Sequence, residues 1–512
     1  MAGQYRKWMV LAGAIWIQAL TGTNLDFPAY SSLMKAALGI SQAQLSHLAV
    51  ASDLSKIFGW SFGIARSRLP LRVVLFIASF MDLFGYGLQW LVVLEAISLP
   101  YLVIYACRAI CIELNFISWF YTVCFVLCNR NFPSHRPLAL SLTLSFNGVS
   151  AALYALAAPA VDPLSDALYL LLNATIPLAA SAAALLQLLH QPPQDTFPPA
   201  AAHRLDSLIF LLLNFTAVAT GIYLLLPGSA NPPIAPLLFA GAVFVLLPAT
   251  IPSSVYVGLF DKVYAGVDGD DVDLRKELLA GESRGGLCER VEEGDRVMEL
   301  GKEPGAWEVM RRLEFWVYYV AYLCGGTIGS AYSNNLGQIA QSLGHGSETS
   351  THVTIYSSFS FFGRLLSAAP DFMRGKVSFA RTGWLAVALV PTPVAFFLLA
   401  TTGGATTALH ASSTAMIGLS SGFIFAAAVS VTSELFGPTN VGVNHNILVT
   451  NIPIGSFVYG QLAALTYDSH AGRTAIGSSN AAEPLGCTGR DCYVLTFAFC
   501  SFFLFFQTRS AY

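Results

Sequence analysis

Ionisable side chains interrupt several long apolar segments of this sequence. Asp53 and Lys56 lie three residues apart in one segment, Asp82 lies in the next, and Arg108 and Glu113 share a third. A charge is costly inside a membrane-spanning segment, so each of these residues is a candidate for function. The chemistry that they suggest is the binding of a small charged solute or the carriage of a proton.

The spacing of these residues leaves two interpretations for each. Asp53 and Lys56 fall on one helix face, where they form either a self-neutralising structural pair or part of a proton-coupling site. Arg108 and Glu113 are separated by about 140° around a helix, so we do not expect them to pair directly. Arg108 either holds an anion with its guanidinium or forms a structural ion pair, for example with Asp82. Asp82 and Glu113 are predicted to carry a proton or to have a structural role.

Two other apolar segments carry polar residues along part of their length. The first has Asn24 and Asp26 near its end, and the segment after residue 313 has Tyr322, Asn334 and Asn335. Amide and phenol groups suit hydrogen bonding to a small polar solute, whereas hydrogen bonding between helices is the alternative. We predict that the asparagines and the tyrosine bind solute and that Asp26 takes part in proton coupling.

The composition places the chain in the membrane class. Its 512 residues are 55% hydrophobic and only 11% charged, whereas soluble proteins carry about 25% charged residues. Apolar segments of about 20 residues can cross a bilayer, and the sequence predicts about fourteen of them. No stretch is basic enough to suggest nucleic acid binding. The sequence lacks HExxH and Walker A motifs, and we expect neither an enzyme nor a cofactor nor a metal site.

An internal repeat divides the chain into two halves. Gly22 recurs as Gly326, and Asn147 recurs as Asn451, both at an interval of 304 residues. Parallel repeats of this kind build secondary transporters of the major facilitator type. We therefore predict an all-α membrane protein with the major facilitator fold, in which two six-helix halves flank two extra helices. The predicted parts are a first half (1–190), a linker with two helices (191–260), a hydrophilic loop (261–312) and a second half (313–512).

The distribution of basic residues predicts the orientation. Short loops hold twelve Lys and Arg residues on the side of both termini and three on the other side, which places the termini in the cytosol. The loop with Cys487 and Cys492 then faces the exterior or a lumen, where a disulfide between them is possible. The 261–312 loop, with 14 acidic and 9 basic residues, has the composition of a disordered segment and could bind cytosolic partners.

Two equivalent loops and one pair of asparagines suggest mechanical roles. Basic residues and glycine in 63–72 and 363–376 could latch the halves through ion pairs, with Arg364 and Asp371 as the main candidates. A simple anchor on the cytosolic side is the alternative. Asn147 and Asn451 lie beside Gly148 and Pro453, and such positions can break helices near a site, although small-residue packing explains them as well.

Long stretches of the sequence resemble a known family. IWIQALTGTNLDFPAYSS, NFPSHRPLALSLTLSFNGVSAALYAL and FWVYYVAYLCGGTIGSAYSNNLGQIAQSLG look like the plant nodulin-like branch of the major facilitator superfamily, in the group of the "nuclear fusion defective" proteins. The resemblance implies a multi-pass plant membrane protein and a transporter. A more distant similarity to oxalate/formate and monocarboxylate carriers suggests small organic anions. The usual gating motif is incomplete at 63–72, whereas the second half keeps Gly363, Arg364 and Asp371.

These observations lead to one principal hypothesis and two rivals. We expect a secondary active transporter that moves a small organic anion or polar metabolite with protons, in the plasma membrane or an endomembrane such as the vacuole. The first rival is a membrane sensor or scaffold that acts through the 261–312 loop. The second is a metal exporter, although no loop rich in His or Asp supports it.

Overall fold

The fold is an all-helical bundle in a computed structural model of the chain. The structure describes residues 2–23, 26–54, 68–107, 118–132, 135–162, 165, 167–188, 200–225, 241, 306–370, 381–403, 406–437, 441–477 and 487–510. No β-strand occurs within these ranges.

The described residues before the linker form nine helices. They are α1 (Ala2–Thr21), α2 (Phe27–Leu38), α3 (Gln42–Leu54), α4 (Leu71–Val93), α5 (Tyr101–Cys107), α6 (Ser118–Asn131), α7 (Arg136–Ser145), α8 (Ser150–Val161) and α9 (Leu168–Leu188). A 3-10 turn, Phe146–Val149, joins α7 to α8. One helix of the linker is described, α10 (Ala200–Leu225). The other predicted linker helix, 235–258, lies outside the described residues apart from Gly241.

The second half begins with a short helix at the end of the predicted hydrophilic loop. The described helices are α11 (Ala306–Met310), α12 (Leu313–Ser342), α13 (Thr349–Leu366), α14 (Arg381–Leu389), α15 (Pro391–Thr402), α16 (Thr407–Phe436), α17 (Val441–Leu448), α18 (Asn451–Gly477) and α19 (Val494–Ser510). Across the described residues, seven helices are long and apolar enough to cross a membrane. The structure is therefore that of a multi-pass membrane protein.

Several predicted spans are interrupted at residues that explain the break. The first span is divided between α1 and α2, and Pro28 lies in the first turn of α2, where a missing N–H costs little. Asn147 lies in the 3-10 turn between α7 and α8. Asn451, its counterpart in the repeat, begins α18 after α17 has ended at Leu448. The interruption next to both asparagines agrees with the sequence prediction.

Three hydrophobic clusters hold the bundle together. One is formed within the first half around Tyr30, Tyr86 and Phe120, and another is formed almost wholly within the second half around Phe315 and Phe396. The third joins Trp8 of α1 to residues of α6, α7, α8 and α10, and it also includes residues of the second half. The inserted helix α10 is thus packed on the bundle, and its Asp206 forms an ion pair with Lys7 at 2.6 Å.

In the described part of the chain the two halves meet at several pairs of helices. Helix α3 packs on α18, α2 packs on α12, and α13 packs on α7, α8 and the turn between them. At the last of these contacts a Cβ on Gly148 would lie 2.7 Å from the backbone nitrogen of Phe361. Only a residue without a side chain allows this approach, because the opposing atom is backbone and cannot move aside alone.

One end of the bundle, which we call the α2 end, is held by neutral hydrogen bonds between the halves. Gln338 Nε2 donates to Ser31 Oγ at 3.0 Å, and Gln341 Nε2 donates to Ser32 Oγ at 2.6 Å. Lys35 lies at the same end, with its Nζ 5.5 Å from the centre of the Tyr467 ring. Partial burial lowers the pKa of Lys35, and the negative charge of Asp468 opposes that shift.

The loop between α18 and α19 contains the predicted cysteine pair. Cys487 and Cys492 form a disulfide, with their Cα atoms 5.9 Å apart. The backbone N–H of Cys487 donates to the hydroxyl of Tyr467 at 3.0 Å. The disulfide therefore fixes this loop against the last part of α18.

We predict that Gly148→Ala destabilises the contact between the halves. The added methyl group would force the Phe361 backbone away, and overpacking of this kind costs about 1–3 kcal/mol. The measurement is thermal unfolding of the purified protein in detergent. The control is Gly87→Ala in α4, where an added Cβ has no neighbour within 4 Å and alanine favours the helix. Equal melting temperatures for Gly148→Ala and the unmodified protein would contradict this interpretation.

Candidate functional site

Five predicted site residues lie outside the described residues, namely Asn24, Lys56, Arg108, Glu113 and Asp371. Their roles stay predictions. The other predicted residues lie in helices or in the turns between helices. The structure brings some of them together between the two halves and others inside the first half.

Arg364 is buried between the two halves. It lies in α13, about 22 Å along the helix from its first residue, and its side chain is only 5% exposed. Its Nη1 donates to Asn147 Oδ1 at 2.8 Å, to the backbone oxygen of Leu144 at 3.2 Å and to the hydroxyl of Tyr121 at 3.3 Å. All three acceptors belong to the first half. Arg364 therefore lies inside the bundle and connects the halves, whereas the sequence suggested a loop latch.

The acceptors around Arg364 do not neutralise its charge. Each is a neutral oxygen, and within the described residues no carboxylate lies at ion-pair distance from the guanidinium. Its Nε has no hydrogen-bond partner there. The phenol of Tyr322, on α12, is near enough to feel the Arg364 charge, and its buried hydroxyl is also without a described partner. The arrangement offers a positive charge and spare donors to an anion.

Asp53 forms a second contact between the halves. Its Oδ2 accepts hydrogen bonds from Asn334 Nδ2 at 3.3 Å and from Ser456 Oγ, and both donors belong to the second half. Asp53 lies about 16 Å along α3 from its first residue, and its side chain is buried. Ser357, which the repeat spacing of 304 residues pairs with Asp53, donates to the backbone oxygen of Gly148. Asp53 and Ser357 therefore occupy equivalent positions in the repeat, and each forms a contact between the halves.

Two predicted asparagines hold helices together. The side-chain amide of Asn335 donates to Ala331 within α12 at 2.9 Å, and its oxygen accepts from Ser46 of α3 at 3.5 Å. The side-chain amide of Asn451 donates to the backbone oxygen of Tyr319 at 3.1 Å, which links α18 to α12 within the second half. The Ser46–Asn335 bond joins two helices, which is the alternative that the sequence left open for Asn335.

The structure brings Asp26 and Asp82 together inside the first half. Asp26 precedes α2, Asp82 lies in the middle of α4, and both side chains are fully buried. They are near enough for their charges to interact. Neither carboxylate has a hydrogen-bond partner among the described residues. Asn173 of α9 lies beside Asp26, but its amide is outside normal hydrogen-bond geometry.

Sequence reasoning missed several residues of these groups. Tyr121 and Ser456 follow no pattern that separates them from other polar residues of apolar helices. Asn173 is different, because it is a lone amide in the apolar run LYLLLNATIPLAA, and that isolation is a signal that could have found it. His352 and His410 were also missed; their rings lie 4.0 Å apart between α13 and α16.

Comparisons with known proteins define the family. A family profile described as "Nodulin-like" matches residues 7–253, and one described as "NFD4, C-terminal domain" matches residues 298–512. The chain is 53% identical to Protein NUCLEAR FUSION DEFECTIVE 4 of Arabidopsis thaliana, over 98% of this chain and 86% of that protein. The chain belongs to the nodulin-like family. The resemblance noted in the sequence is therefore confirmed.

More distant similarities define the fold of this nodulin-like chain. It is 26% identical to "Probable transporter MCH1" of Yarrowia lipolytica, over 36% of this chain and 38% of that protein. A bacterial homologue of the human lysosomal transporter Spinster matches with a TM-score of 0.57 at 11% identity, and covers 99% of this chain and 97% of its own. Tetrameric PepTSo2 matches with a TM-score of 0.53 at 12% identity, over 100% and 98% of the two chains.

These structural matches confirm the predicted major facilitator fold. The nucleoside transporter NupG also matches, with a TM-score of 0.52 at 12% identity, and covers 99% of this chain and 97% of its own. All of these structures are transporters, in agreement with the prediction that the nodulin-like chain is not an enzyme.

We predict that the acceptor oxygen of Asp53 holds α3 to the second half. In Asp53→Leu the donors Asn334 and Ser456 lose their acceptor, at a cost of about 1–3 kcal/mol for each buried group. In Asp53→Asn a neutral oxygen still accepts, so the loss of stability should be smaller. Thermal unfolding of the purified variants measures both effects. The interpretation is wrong if Asp53→Leu is as stable as Asp53→Asn.

Proposed function

We propose that this chain is a secondary active transporter that moves a small organic anion across a membrane by alternating access, coupled to protons. The observation that carries the proposal is the buried guanidinium of Arg364, which lies between the halves without a described carboxylate partner. A charge buried in an apolar bundle is costly unless it is compensated. A carboxylate solute would supply that compensation and could bind in a bidentate manner.

The groups near Arg364 suit recognition of such a solute. Tyr121 and Tyr322 offer hydroxyl groups from opposite halves, and Asn147 orients the guanidinium through its side-chain oxygen. A solute held by residues of both halves would stabilise a conformation in which the halves are closed around it. Binding energy would then favour the movement that transport requires.

The contacts between the halves support an alternating mechanism. The hydrogen bonds at the α2 end join neutral side chains, and each is worth about 0.5–1.5 kcal/mol net. Breaking a few such bonds costs no more free energy than the difference between two conformations that are both populated. These bonds can therefore break and re-form during transport. With both termini in the cytosol, as the basic residues suggest, the α2 end would face the exterior or a lumen, and we propose that the membrane is the plasma membrane or an endomembrane such as that of the vacuole.

We predict that Arg364→Ala strongly weakens solute binding and that Arg364→Lys weakens it less. Lysine keeps the charge but not the planar fork of donors. Loss of a charge-assisted hydrogen bond of 1.5–3 kcal/mol lowers affinity by about 10- to 100-fold. The measurement has two stages: thermal stabilisation of the purified protein by a panel of mono- and dicarboxylates, then uptake of the best binders by proteoliposomes under an imposed pH gradient.

The matched control is Arg490→Ala. Arg490 is exposed and donates to the backbone oxygen of Thr401, far from Arg364, so carboxylate binding should not change. Undiminished binding and uptake in Arg364→Ala would overturn the proposal. Deletion of residues 261–305 distinguishes the transporter from the scaffold hypothesis, because a transporter should keep its uptake without this loop.

A further inference from the structure

The pair formed by Asp26 and Asp82 is unlike the other buried acidic groups of the chain. Asp206 is buried against Lys7, and Asp53 accepts hydrogen bonds from the second half. Asp26 and Asp82 have neither kind of partner among the described residues, although both are fully buried. An ionised carboxylate in such a place is costly, and two of them near each other repel as well.

Unpaired neutral oxygens surround the pair. Thr23 Oγ1 and both polar atoms of the Asn173 amide are buried and have no hydrogen-bond partner in the described part of the chain. Asn173 lies beside Asp26, and Thr23 lies in the same turn as Asp26, whose backbone N–H donates to the Thr23 oxygen at 3.2 Å. Buried polar groups in native proteins nearly always have partners, so this cluster has the composition of a site for a small cation.

Helix capping does not explain Asp26. It occupies the position before α2, yet its side chain makes no capping hydrogen bond. The phenols of the neighbouring helices supply no positive charge either. Among the described residues of α2, α4, α8 and α9, the titratable groups near the pair are tyrosines, namely Tyr30, Tyr86, Tyr154 and Tyr169.

The site lies at a break that only one half has. Helix α1 ends at Thr21, and Tyr86 and Tyr154 donate to the freed backbone oxygens of Thr23 and Leu20, at 3.2 and 2.8 Å. The second half continues as one helix, α12, through the equivalent Gly326–Thr327. At the repeat spacing the second half has Ser330 and Ala386 in place of Asp26 and Asp82. The repeated architecture therefore does not require the break or the carboxylates.

We propose that Asp26 and Asp82 together hold one proton and that this pair is the coupling site of the transporter. One shared proton reduces the charge of the pair from two to one and removes the repulsion. Asn173 lies beside Asp26, and Thr23 lies in the same turn, so both neutral side chains are close to the pair. The coupling role rests on the proposed transport function, whereas the binding of the proton does not.

Infrared spectroscopy of the purified full-length protein tests the proton directly. Titration in H₂O and D₂O follows the C=O stretch of protonated carboxylic acids. We expect Asp26→Asn/Asp82→Asn to lose the signal of one carboxylic acid per protein at neutral pH. Each single variant should shift the midpoint of titration to lower pH, since the neighbouring charge is gone. The control, Asp206→Asn, removes a carboxylate that is paired with Lys7 and should leave the signal unchanged.

Several outcomes would overturn the assignment. An unchanged carboxylic acid signal in the double variant would show that both groups are ionised. Loss of the signal when sodium replaces choline at constant pH would show that the pair binds a metal cation. Asparagine is a neutral isostere of aspartic acid, so we expect the variants to fold. If the double variant does not fold, the midpoint of titration in the single variants provides the test.

Transport measurements separate this proposal from the proposed function. Both single Asp→Asn variants should keep carboxylate-dependent thermal stabilisation but lose acceleration of uptake by a pH gradient. Arg364→Ala should lose carboxylate binding and keep the infrared signal. Uptake in the single Asp→Asn variants that still responds fully to the pH gradient would contradict the coupling role.

Discussion

A polar group inside an apolar bundle must find its partner within the protein, because no water is available there, and this constraint organises the chain. Leu144 lies in the last turn of α7, before the break, and Arg364 of the other half donates to its backbone oxygen. A cation at the end of a helix is favourable because the last carbonyl groups carry partial negative charge. No carboxylate in the described part of the chain neutralises this guanidinium, and the contact that joins the halves is therefore where we propose that an anion binds.

The contacts between the halves differ in strength according to their position. At the α2 end they are bonds between amides and hydroxyl groups, which water can replace at little cost once the end opens. At the depth of Asp53 and Arg364 they involve ionisable groups away from water. Opening of the α2 end should therefore cost less free energy than separation of the halves at Asp53 and Arg364. A bundle built in this way tends to rock about its middle, which is the motion that alternating access uses.

The repeat, the helices and the fold class could be predicted from the sequence, because periodicity and internal similarity are local or regularly spaced signals. The sequence also indicated Asn147 and Arg364, yet it did not pair them. Their contact joins helices that are distant in the chain, and nothing in either helix specifies its partner. The same holds for Ser456 beside Asp53 and for Asn173 beside Asp26. The types of residue in these sites could thus be predicted from the sequence. Which of them lie together in three dimensions became visible only in the fold.

The two proposed sites are connected by a short series of contacts. Gly22, at the end of α1, packs so closely on the turn between α7 and α8 that a Cβ there would lie 2.6 Å from Asn147 Nδ2. Asn147 in turn accepts the hydrogen bond from Arg364. Asp26 lies four residues after Gly22, so in our proposal a change in its charge would act on this break, whose other side touches the residue that orients the guanidinium. The binding of a proton and the binding of an anion are coupled through a structural element whose conformational equilibrium both can shift. The interrupted first helix lies between the two proposed sites, and we propose that it is this element.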